Sequence, residues 1–100
     1  LSGRQVAADE ALRIGLADEV VEHDSLRDRS LELATSLAKG ALVAQGLAKE
    51  AIDRGLSMSL DEGLAVERYV FTEVFRSEDS QIGVKSFLEH GPGKAEFTGR

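Results

Sequence analysis

The sequence predicts a mainly α protein in which a short helix and an orphan strand are followed by four amphipathic helices. Three observations support this fold class. Apolar residues recur at helical spacing in four segments after residue 22, glycines or capping sequences separate these segments, and a single short stretch is rich in β-branched residues. The composition, with 42% hydrophobic and 30% charged residues, is typical of a globular domain.

The first two predicted elements lie at the beginning of the sequence. Alanine-rich residues 7–14 favour a short helix, and Gly15 offers the positive φ that commonly ends one. Leu16 to Val21 follows as the predicted strand, with Val20 as part of its β-branched core. Because one strand cannot form a sheet, we expect either an extended linker here or pairing partners outside these 100 residues.

The next two segments predict the first two long helices. DSLRDRSLELATSLAKG begins with Ser25 and Asp28 at the spacing of a capping box and stops at Gly40. ALVAQGLAKEAIDRG is the second, and Gly46 in its interior weakens the helix by about 1 kcal/mol relative to alanine. We expect this glycine to permit the close approach of another backbone.

Capping signals are clearest for the last two helices. Ser59 and Glu62 have the spacing of a capping box and precede an apolar stripe that runs to about Arg76. The final helix begins in the sequence SEDS, where two acids suit the positive end of the helix dipole. It ends at HGPG, because Gly91 and Pro92 do not continue a helix.

Charge and composition exclude several classes of function. The net charge of −6, without any basic cluster, argues against nucleic acid as a partner. No apolar run approaches the roughly 18 residues of a membrane span. The absence of Cys removes thiolate metal sites, and the two histidines, His23 and His90, have no ligand spacing. We therefore expect a cytoplasmic protein with no metal and no resident cofactor.

Glu67 is the most informative charged residue, because it lies in the middle of an apolar helical stripe. The stripe comprises Leu60, Leu64, Phe71 and Val74. A carboxylate on such a face is paired, protonated or exposed at an interface. One interpretation is a general acid or base with a raised pKa. We favour a structural ion pair with Arg4, or alternatively with Arg68, because no second acid, histidine or nucleophile shares this face.

No catalytic motif occurs in the sequence. Neighbouring acids such as Glu78 and Asp79 point about 100° apart on a helix, so they do not converge as a catalytic pair. A nucleophile elbow, a phosphate-binding loop, a dinucleotide fingerprint and a zinc-protease motif are all absent. We therefore assign no catalytic residue within these 100 residues.

Three stretches carry motifs at a specific joint spacing. SGRQVAADEALRIGLADEVVE fits t-G-r-x-x-x-A-x-E-A-x-x-x-G-L-V-x-x-V-V, with Ala17 in place of the usual valine. LAKEAIDRG fits x-x-K-x-A-x-x-x-G. GLAVERYVFTEVFRSEDSQIGVKSFLEH then matches a third pattern at Leu64, Glu67, Phe71, Phe75, Asp79, Gly83 and Phe87. Together these stretches resemble the enoyl-CoA hydratase/isomerase (crotonase) family over the whole chain.

The resemblance implies that this chain is the C-terminal helical part of a longer protein. In the family, a β-α spiral domain precedes this part and holds the two catalytic glutamates and the oxyanion-hole N–H groups. We therefore interpret residues 1–22 as a connector from that spiral domain. Residues 23–100 are interpreted as a helical domain for oligomerisation and for covering the active site, and the orphan strand is expected to pair with the spiral domain.

The resemblance also implies chemistry on acyl-CoA thioesters, in which N–H donors stabilise a thioester enolate and carboxylates move protons. Hydration of a 2-enoyl-CoA is the reaction we favour, while isomerase, thioester-cleaving and ring-forming members share these features. Coenzyme A is then part of the substrate. The implied partners are the acyl-CoA, the N-terminal catalytic domain and further copies of the protein in a trimer or hexamer.

Four residues are implied as substrate contacts. By resemblance, Phe71 and Phe87 line the acyl or pantetheine side of the pocket, although ordinary packing between helices also explains them. His90 takes the place of a basic residue that meets the adenine and phosphates of CoA, and Lys94 is its possible substitute. The alternative hypothesis is a stand-alone, non-catalytic helical interaction module, but such a bundle has no use for an orphan strand.

Overall fold

The structure is a computed structural model that describes residues 2–100. The described residues form five α-helices and one 3₁₀ turn, without a β-strand. The helices are α1 (Ala8–Arg13), α2 (Leu26–Ala38), α3 (Leu42–Gly55), α4 (Leu60–Val74) and α5 (Glu78–His90), and the 3₁₀ turn spans His23–Ser25. The predicted mainly α fold class is therefore confirmed. Across residues 2–100, no helix has the length and apolar character needed to span a membrane.

The chain forms two compact units that divide within α2. One unit ends at Leu33, and the other comprises Ala34–Arg100. The predicted boundary after residue 22 concerns a connector from a further domain, and it stays a prediction.

α1 ends at the glycine that the sequence indicates. Gly15 has φ 74°, the left-handed conformation that glycine adopts without strain. The N–H of Leu16 donates to the carbonyl of Ala11 at 2.8 Å, and the N–H of Gly15 donates to the carbonyl of Leu12 at 3.2 Å. This pair of hydrogen bonds is a Schellman motif, which satisfies the last carbonyls of the helix.

The predicted strand from Leu16 to Val21 is wrong. In the described part of the chain these residues form bends and irregular backbone with no strand partner. The N–H groups of Leu16 and Ala17 both donate to the carbonyl of Ala11 instead. β-branched residues favour extended backbone, but a strand exists only where a second strand supplies its hydrogen bonds.

In the unit Ala34–Arg100, α3 and α4 form a helical hairpin that residues 56–59 connect. Near the turn the two backbones approach closely, because a Cβ atom placed on Gly63 would lie 3.4 Å from the Cα atom of Gly55. Farther along, Val70 is 4% exposed and is the buried hydrophobic residue of the described chain. The hairpin is thus held by a close glycine contact and a very small core.

The predicted boundaries of the last two helices are confirmed. Ser59 caps α4 in a capping box with Glu62. Ser77 caps α5, since its side chain accepts a hydrogen bond from the N–H of Ser80 at 3.2 Å. Gly91, with φ 80°, ends α5.

Candidate functional site

An apolar groove runs between α3 and α4 and encloses about 590 Å³. Its lining consists of Ala44, Leu47, Ala48, Ala51, Ile52, Gly55, Leu56, Leu60, Gly63, Leu64, Glu67, Val70, Phe71 and Val74. Every lining side chain except that of Glu67 is apolar or absent. Such a surface suits hydrocarbon groups, either an acyl chain or the apolar side chains of another protein segment.

Glu67 contributes the charged group of the α3–α4 groove. It is exposed, and among the described residues no ion pair includes it. Arg68, the alternative cation considered for Glu67, has no such pair within residues 2–100 either. A carboxylate in this position favours a partner that brings a cation or a hydrogen-bond donor into an otherwise apolar contact.

Arg4 has a different partner in its own unit. Its guanidinium donates to both carboxylate oxygens of Glu10, at 2.8 and 2.9 Å. The hydrogen bond to Glu10 raises the pKa of Arg4, which stays charged in any case. The predicted ion pair of Arg4 with Glu67 stays a prediction.

Phe71 lies in the α3–α4 groove and is 62% exposed. Its ring meets the ring of Phe75 edge to face, with centroids 5.2 Å apart and planes inclined by 75°. This geometry is favourable for aromatic pairs. Phe71 is therefore held by Phe75 while most of its surface remains free for contact.

Phe87 lines a second concavity, which we call the Phe87 depression. It encloses about 660 Å³ and is lined by Ser36, Lys39, Gly40, Gly83, Ser86, Phe87, Gly91, Pro92, Gly93, Ala95 and Phe97. These residues come from the end of α2, from α5 and from the segment that follows α5. The depression combines two aromatic rings, a lysine and two serines, so it suits a ligand with both apolar and anionic parts.

The four predicted substrate contacts do not share one concavity. Phe71 lies in the groove and Phe87 in the depression, while both His90 and Lys94 are exposed. His90 closes α5, with its Nδ1 atom 3.9 Å from a carboxylate oxygen of Glu89. A cation at this end of a helix also suits the helix dipole. The roles of these four residues in substrate binding stay predictions.

Asp79 matches the third sequence motif, but the motif does not reveal which groups it contacts. Although it is an acid in the first turn of α5, it is only 1% exposed. Its carboxylate accepts hydrogen bonds from the N–H groups of Thr98 and Gly99 and from the hydroxyl of Thr98. These partners lie 19 and 20 positions later in the chain, so no motif of neighbouring residues predicts the hydrogen bonds.

The acids and histidines of residues 2–100 are dispersed over the chain. Across residues 2–100, no three side chains of His, Asp or Glu come together in a group that could hold a metal ion. Of the neighbouring acids at helix starts, Glu62 takes part in the capping box with Ser59 and Glu10 pairs with Arg4.

Comparison with known proteins decides the family. A family model described as enoyl-CoA hydratase/isomerase matches residues 1–100. The chain belongs to the enoyl-CoA hydratase/isomerase family. The resemblance that the sequence motifs indicate is therefore confirmed for this family.

Individual members of the enoyl-CoA hydratase/isomerase family support the assignment. The chain is 41% identical over 100 residues to a probable enoyl-CoA hydratase of Rhizobium meliloti (strain 1021). That alignment covers 100% of this chain and 38% of the relative. It is 40% identical over 88 residues to a short-chain-enoyl-CoA hydratase of Clostridium acetobutylicum. That alignment covers 88% of this chain and 34% of the relative. The chain thus spans a little more than a third of the length of these relatives.

The fold is likewise that of the enoyl-CoA hydratase/isomerase family. A crystal structure of enoyl-CoA hydratase subunit I from Geobacillus kaustophilus HTA426 superimposes with a TM-score of 0.92 at 34% identity. The alignment covers 99% of this chain and 38% of that chain. The described residues are therefore similar in fold to a part of that larger subunit.

Proposed function

We propose that this chain is the helical part of an enzyme that acts on acyl-CoA thioesters, with hydration of a 2-enoyl-CoA as the reaction. The observation that carries the proposal is the family match over residues 1–100, together with relatives named enoyl-CoA hydratases. Catalytic carboxylates and oxyanion-hole donors are then supplied by a spiral domain of the same protein. Coenzyme A takes part as a portion of the substrate, and no resident cofactor is required.

The proposed role of this chain is to assemble subunits and to cover the acyl-CoA site. The apolar α3–α4 groove supports this role, because a surface of this kind is stabilised when another apolar surface covers it. The small core points the same way, since Val70 is the buried hydrophobic residue of residues 2–100. We propose the spiral domain or a neighbouring subunit of a trimer or hexamer as the covering partner, within the cytoplasm.

In this proposal Phe71 and Phe87 contact the acyl or pantetheine part of the substrate. His90 and Lys94 lie near the CoA nucleotide, whose phosphates favour cationic neighbours. Both aromatic side chains have free surface, and Lys39 in the Phe87 depression adds a further cation. The helical part would then lower KM without taking part in proton transfer.

The test is hydration of a short 2-enoyl-CoA, crotonyl-CoA, by the protein in its natural chain. The intact mass, measured by denaturing mass spectrometry, first establishes whether a spiral domain accompanies the 10.8 kDa described here. Loss of the absorbance of the conjugated thioester then reports hydration. With the spiral domain present, we expect turnover that saturates with crotonyl-CoA.

Two results would contradict the proposal. The first is a longer protein that folds but leaves crotonyl-CoA and its 3-enoyl isomer unchanged. The second is a 10.8 kDa chain that sediments as a compact monomer and binds no CoA thioester. The second result would favour the alternative function, a stand-alone helical interaction module.

A further inference from the structure

The segment that follows α5 is folded back along that helix, and we call residues 94–100 the strap. We propose that Asp79 is a positioning residue whose carboxylate latches the strap and thereby holds one wall of the Phe87 depression in place. The structural part of this proposal stands on the contacts of Asp79. Its consequence for substrate binding rests on the proposed function, in which Phe87 meets the acyl-CoA.

The latch consists of hydrogen bonds between α5 and the strap. One carboxylate oxygen of Asp79 accepts from the N–H of Thr98 at 2.6 Å and from its hydroxyl at 3.0 Å. The other accepts from the N–H of Gly99 at 2.8 Å. The backbone N–H of Asp79 donates in return to the carbonyl of Arg100 at 2.8 Å. Four hydrogen bonds therefore tie one residue of α5 to three consecutive residues of the strap.

Side-chain packing fits the latched position. The ring of Phe97 lies against α5 at Gly83, since a Cβ atom added there would be 3.4 Å from the ring. Gly99 has φ 80° and lies against Leu42 at the start of α3. An ordinary side chain at Gly99 would be strained in this conformation and crowded by Leu42. The strap is thus shaped to this surface beyond its hydrogen bonds.

The burial of Asp79 depends on the strap. A buried carboxylate is costly unless hydrogen bonds compensate its charge. The guanidinium of Arg100 is paired with Glu78, 3.6 Å away, and not with Asp79. The compensation therefore comes from the strap's N–H and hydroxyl groups. If either the Asp79 carboxylate or the donors of the strap are removed, the remaining groups have lost their hydrogen-bond partners.

The pKa of Asp79 agrees with this dependence. Burial is the largest single influence and raises the pKa of Asp79, but hydrogen bonds, chiefly those from Thr98 and Gly99, bring it below the ordinary value of an aspartate. The folded state therefore favours the ionised carboxylate. The latch is expected to be closed at neutral pH and to open when the pH falls through this lowered pKa.

The latched strap contributes directly to the Phe87 depression. Ala95 and Phe97 belong to its lining, opposite residues of α5 and the end of α2. If the strap detaches, these two side chains leave the lining and the depression loses one wall. A ligand seated beside Phe87 would then bind more weakly, while proton transfer elsewhere would be unaffected.

The test compares Asp79→Asn with Asp61→Asn in the full chain. Each substitution removes one negative charge at the second position of a helix that begins after a capping serine, but Asp61 is exposed and has no strap. In Asp79→Asn we expect the amide hydrogens of Thr98 and Gly99 to exchange about tenfold faster or more. In Asp61→Asn their exchange should stay as in the wild type. Unchanged protection of both amides in Asp79→Asn overturns the latch.

Kinetics of the same variants test the link to the substrate. With crotonyl-CoA, Asp79→Asn should raise KM about tenfold and leave kcat within about twofold, since a positioning residue acts on binding. Faster amide exchange with an unchanged KM overturns the assignment of the depression to the substrate and leaves the latch standing. A wild type without turnover overturns the proposed function, while amide exchange still decides the latch.

If Asp79→Asn does not fold, the pH dependence of amide exchange in the wild type tests the latch instead. Protonation of Asp79 should remove the protection of the Thr98 and Gly99 amides at a higher pH than that of the buried Val70 amide in α4. Protection that is lost at Thr98 and at Val70 in parallel, over the whole acid range, would contradict a separate latch.

Discussion

At the scale of single residues, hydrogen bonds between neighbours in sequence set helix boundaries and lower the pKa of an acid that takes part in a cap. The start of α4 illustrates this most fully. The side chain of Glu62 accepts from the N–H of Ser59 at 3.0 Å and from its hydroxyl at 2.7 Å, while the N–H of Glu62 donates to that hydroxyl at 3.4 Å. The side-chain hydrogen bond from Ser59, followed by its backbone N–H, lowers the pKa of Glu62.

Removing this cap should destabilise α4. We expect Ser59→Ala to lower the free energy of unfolding by about 1 kcal/mol, measured by urea denaturation at neutral pH. Because the pKa of Glu62 is lowered in the folded state, its contribution is present above the unfolded pKa and is lost as the pH falls through the folded one. The difference between wild type and variant should therefore shrink in acid.

Ser57→Ala is the control for the capping prediction. The Ser57 hydroxyl only donates to the carbonyl of Asp53 at 3.3 Å, outside any capping box. We expect this variant to be within about 0.5 kcal/mol of the wild type. Equal losses in the two variants would show that the capping box does not stabilise the chain.

In the unit that ends at Leu33, Arg29 lowers the pKa of an acid in the same way. Its guanidinium binds both carboxylate oxygens of Glu19, the second at 3.0 Å, and also lies 3.4 Å from Glu32. The hydrogen bond to Arg29 lowers the pKa of Glu19. We expect Arg29→Met to raise this pKa to the ordinary value of a glutamate, measured by NMR titration of the carboxyl carbon.

Arg27→Met serves as the comparison, because Arg27 only approaches Asp28 at 4.0 Å. It should leave the titration of Glu19 unchanged. A Glu19 carboxyl that titrates alike in the wild type and in Arg29→Met would contradict the assigned cause of the shift.

The residues that the sequence predicts correctly are those with partners within one helical turn. Ser59 and Glu62 are three positions apart, so the pattern contains the whole interaction. Asp79 also begins a helix, but its partners lie on the strap and the pattern contains only half of the interaction. Ser25 and Asp28 have capping spacing, yet Ser25 lies in a 3₁₀ turn that runs directly into α2.

At the scale of elements, the α3–α4 hairpin depends on where glycine replaces a side chain. The sequence directs attention to Gly46 in the interior of α3, but an added Cβ there would meet nothing within 4 Å. The close approach occurs at Gly55 and Gly63, which the pattern presents as a helix end and a capping region. A contact between helices depends on their relative rotation, and periodicity in one helix does not contain that rotation.

Two substitutions separate these glycines. Gly63→Val would press branched methyl groups against the backbone of Gly55, which has no flexible end that can move aside. We expect a loss of about 1–3 kcal/mol in the free energy of unfolding. Gly46→Ala should instead stabilise the chain by about 0.5–1 kcal/mol, because it only raises helix propensity.

Thermal unfolding followed by circular dichroism measures both effects in the full chain. If Gly63→Val unfolds at the temperature of the wild type, the close backbone approach is not required for the hairpin. If Gly46→Ala lowers that temperature, Gly46 has a contact with a further segment of the protein, as the sequence first suggested.

The predicted strand shows a second limit at this scale. Val20 and Val21 favour extended backbone, and the segment is indeed not helical. Strand formation, however, is a property of two segments, and residues 2–100 do not contain the second one. Helices were predictable because each satisfies its own backbone, whereas a strand is defined by its neighbour.

At the scale of the whole molecule, apolar surface exceeds what the described chain buries. Leu56 and Leu60 in the α3–α4 groove are 84% and 77% exposed. Exposed leucines scattered singly are ordinary, but a continuous apolar groove indicates a contact with another surface. The amphipathic pattern of the sequence revealed which faces are apolar, and it could not reveal that many of them remain uncovered within these residues.

The groove should therefore dominate association of the chain on its own. We expect Leu56→Gln to shift sedimentation toward smaller species and to reduce binding of the dye ANS to exposed apolar surface. Leu88→Gln is the matched control, because Leu88 is 78% exposed on α5 and does not line the groove. If association falls equally in both variants, exposed apolar surface promotes association wherever it lies, and the groove has no special role. A fall confined to Leu56→Gln would identify the groove as the assembly surface, because the two substitutions remove the same side chain at nearly the same exposure.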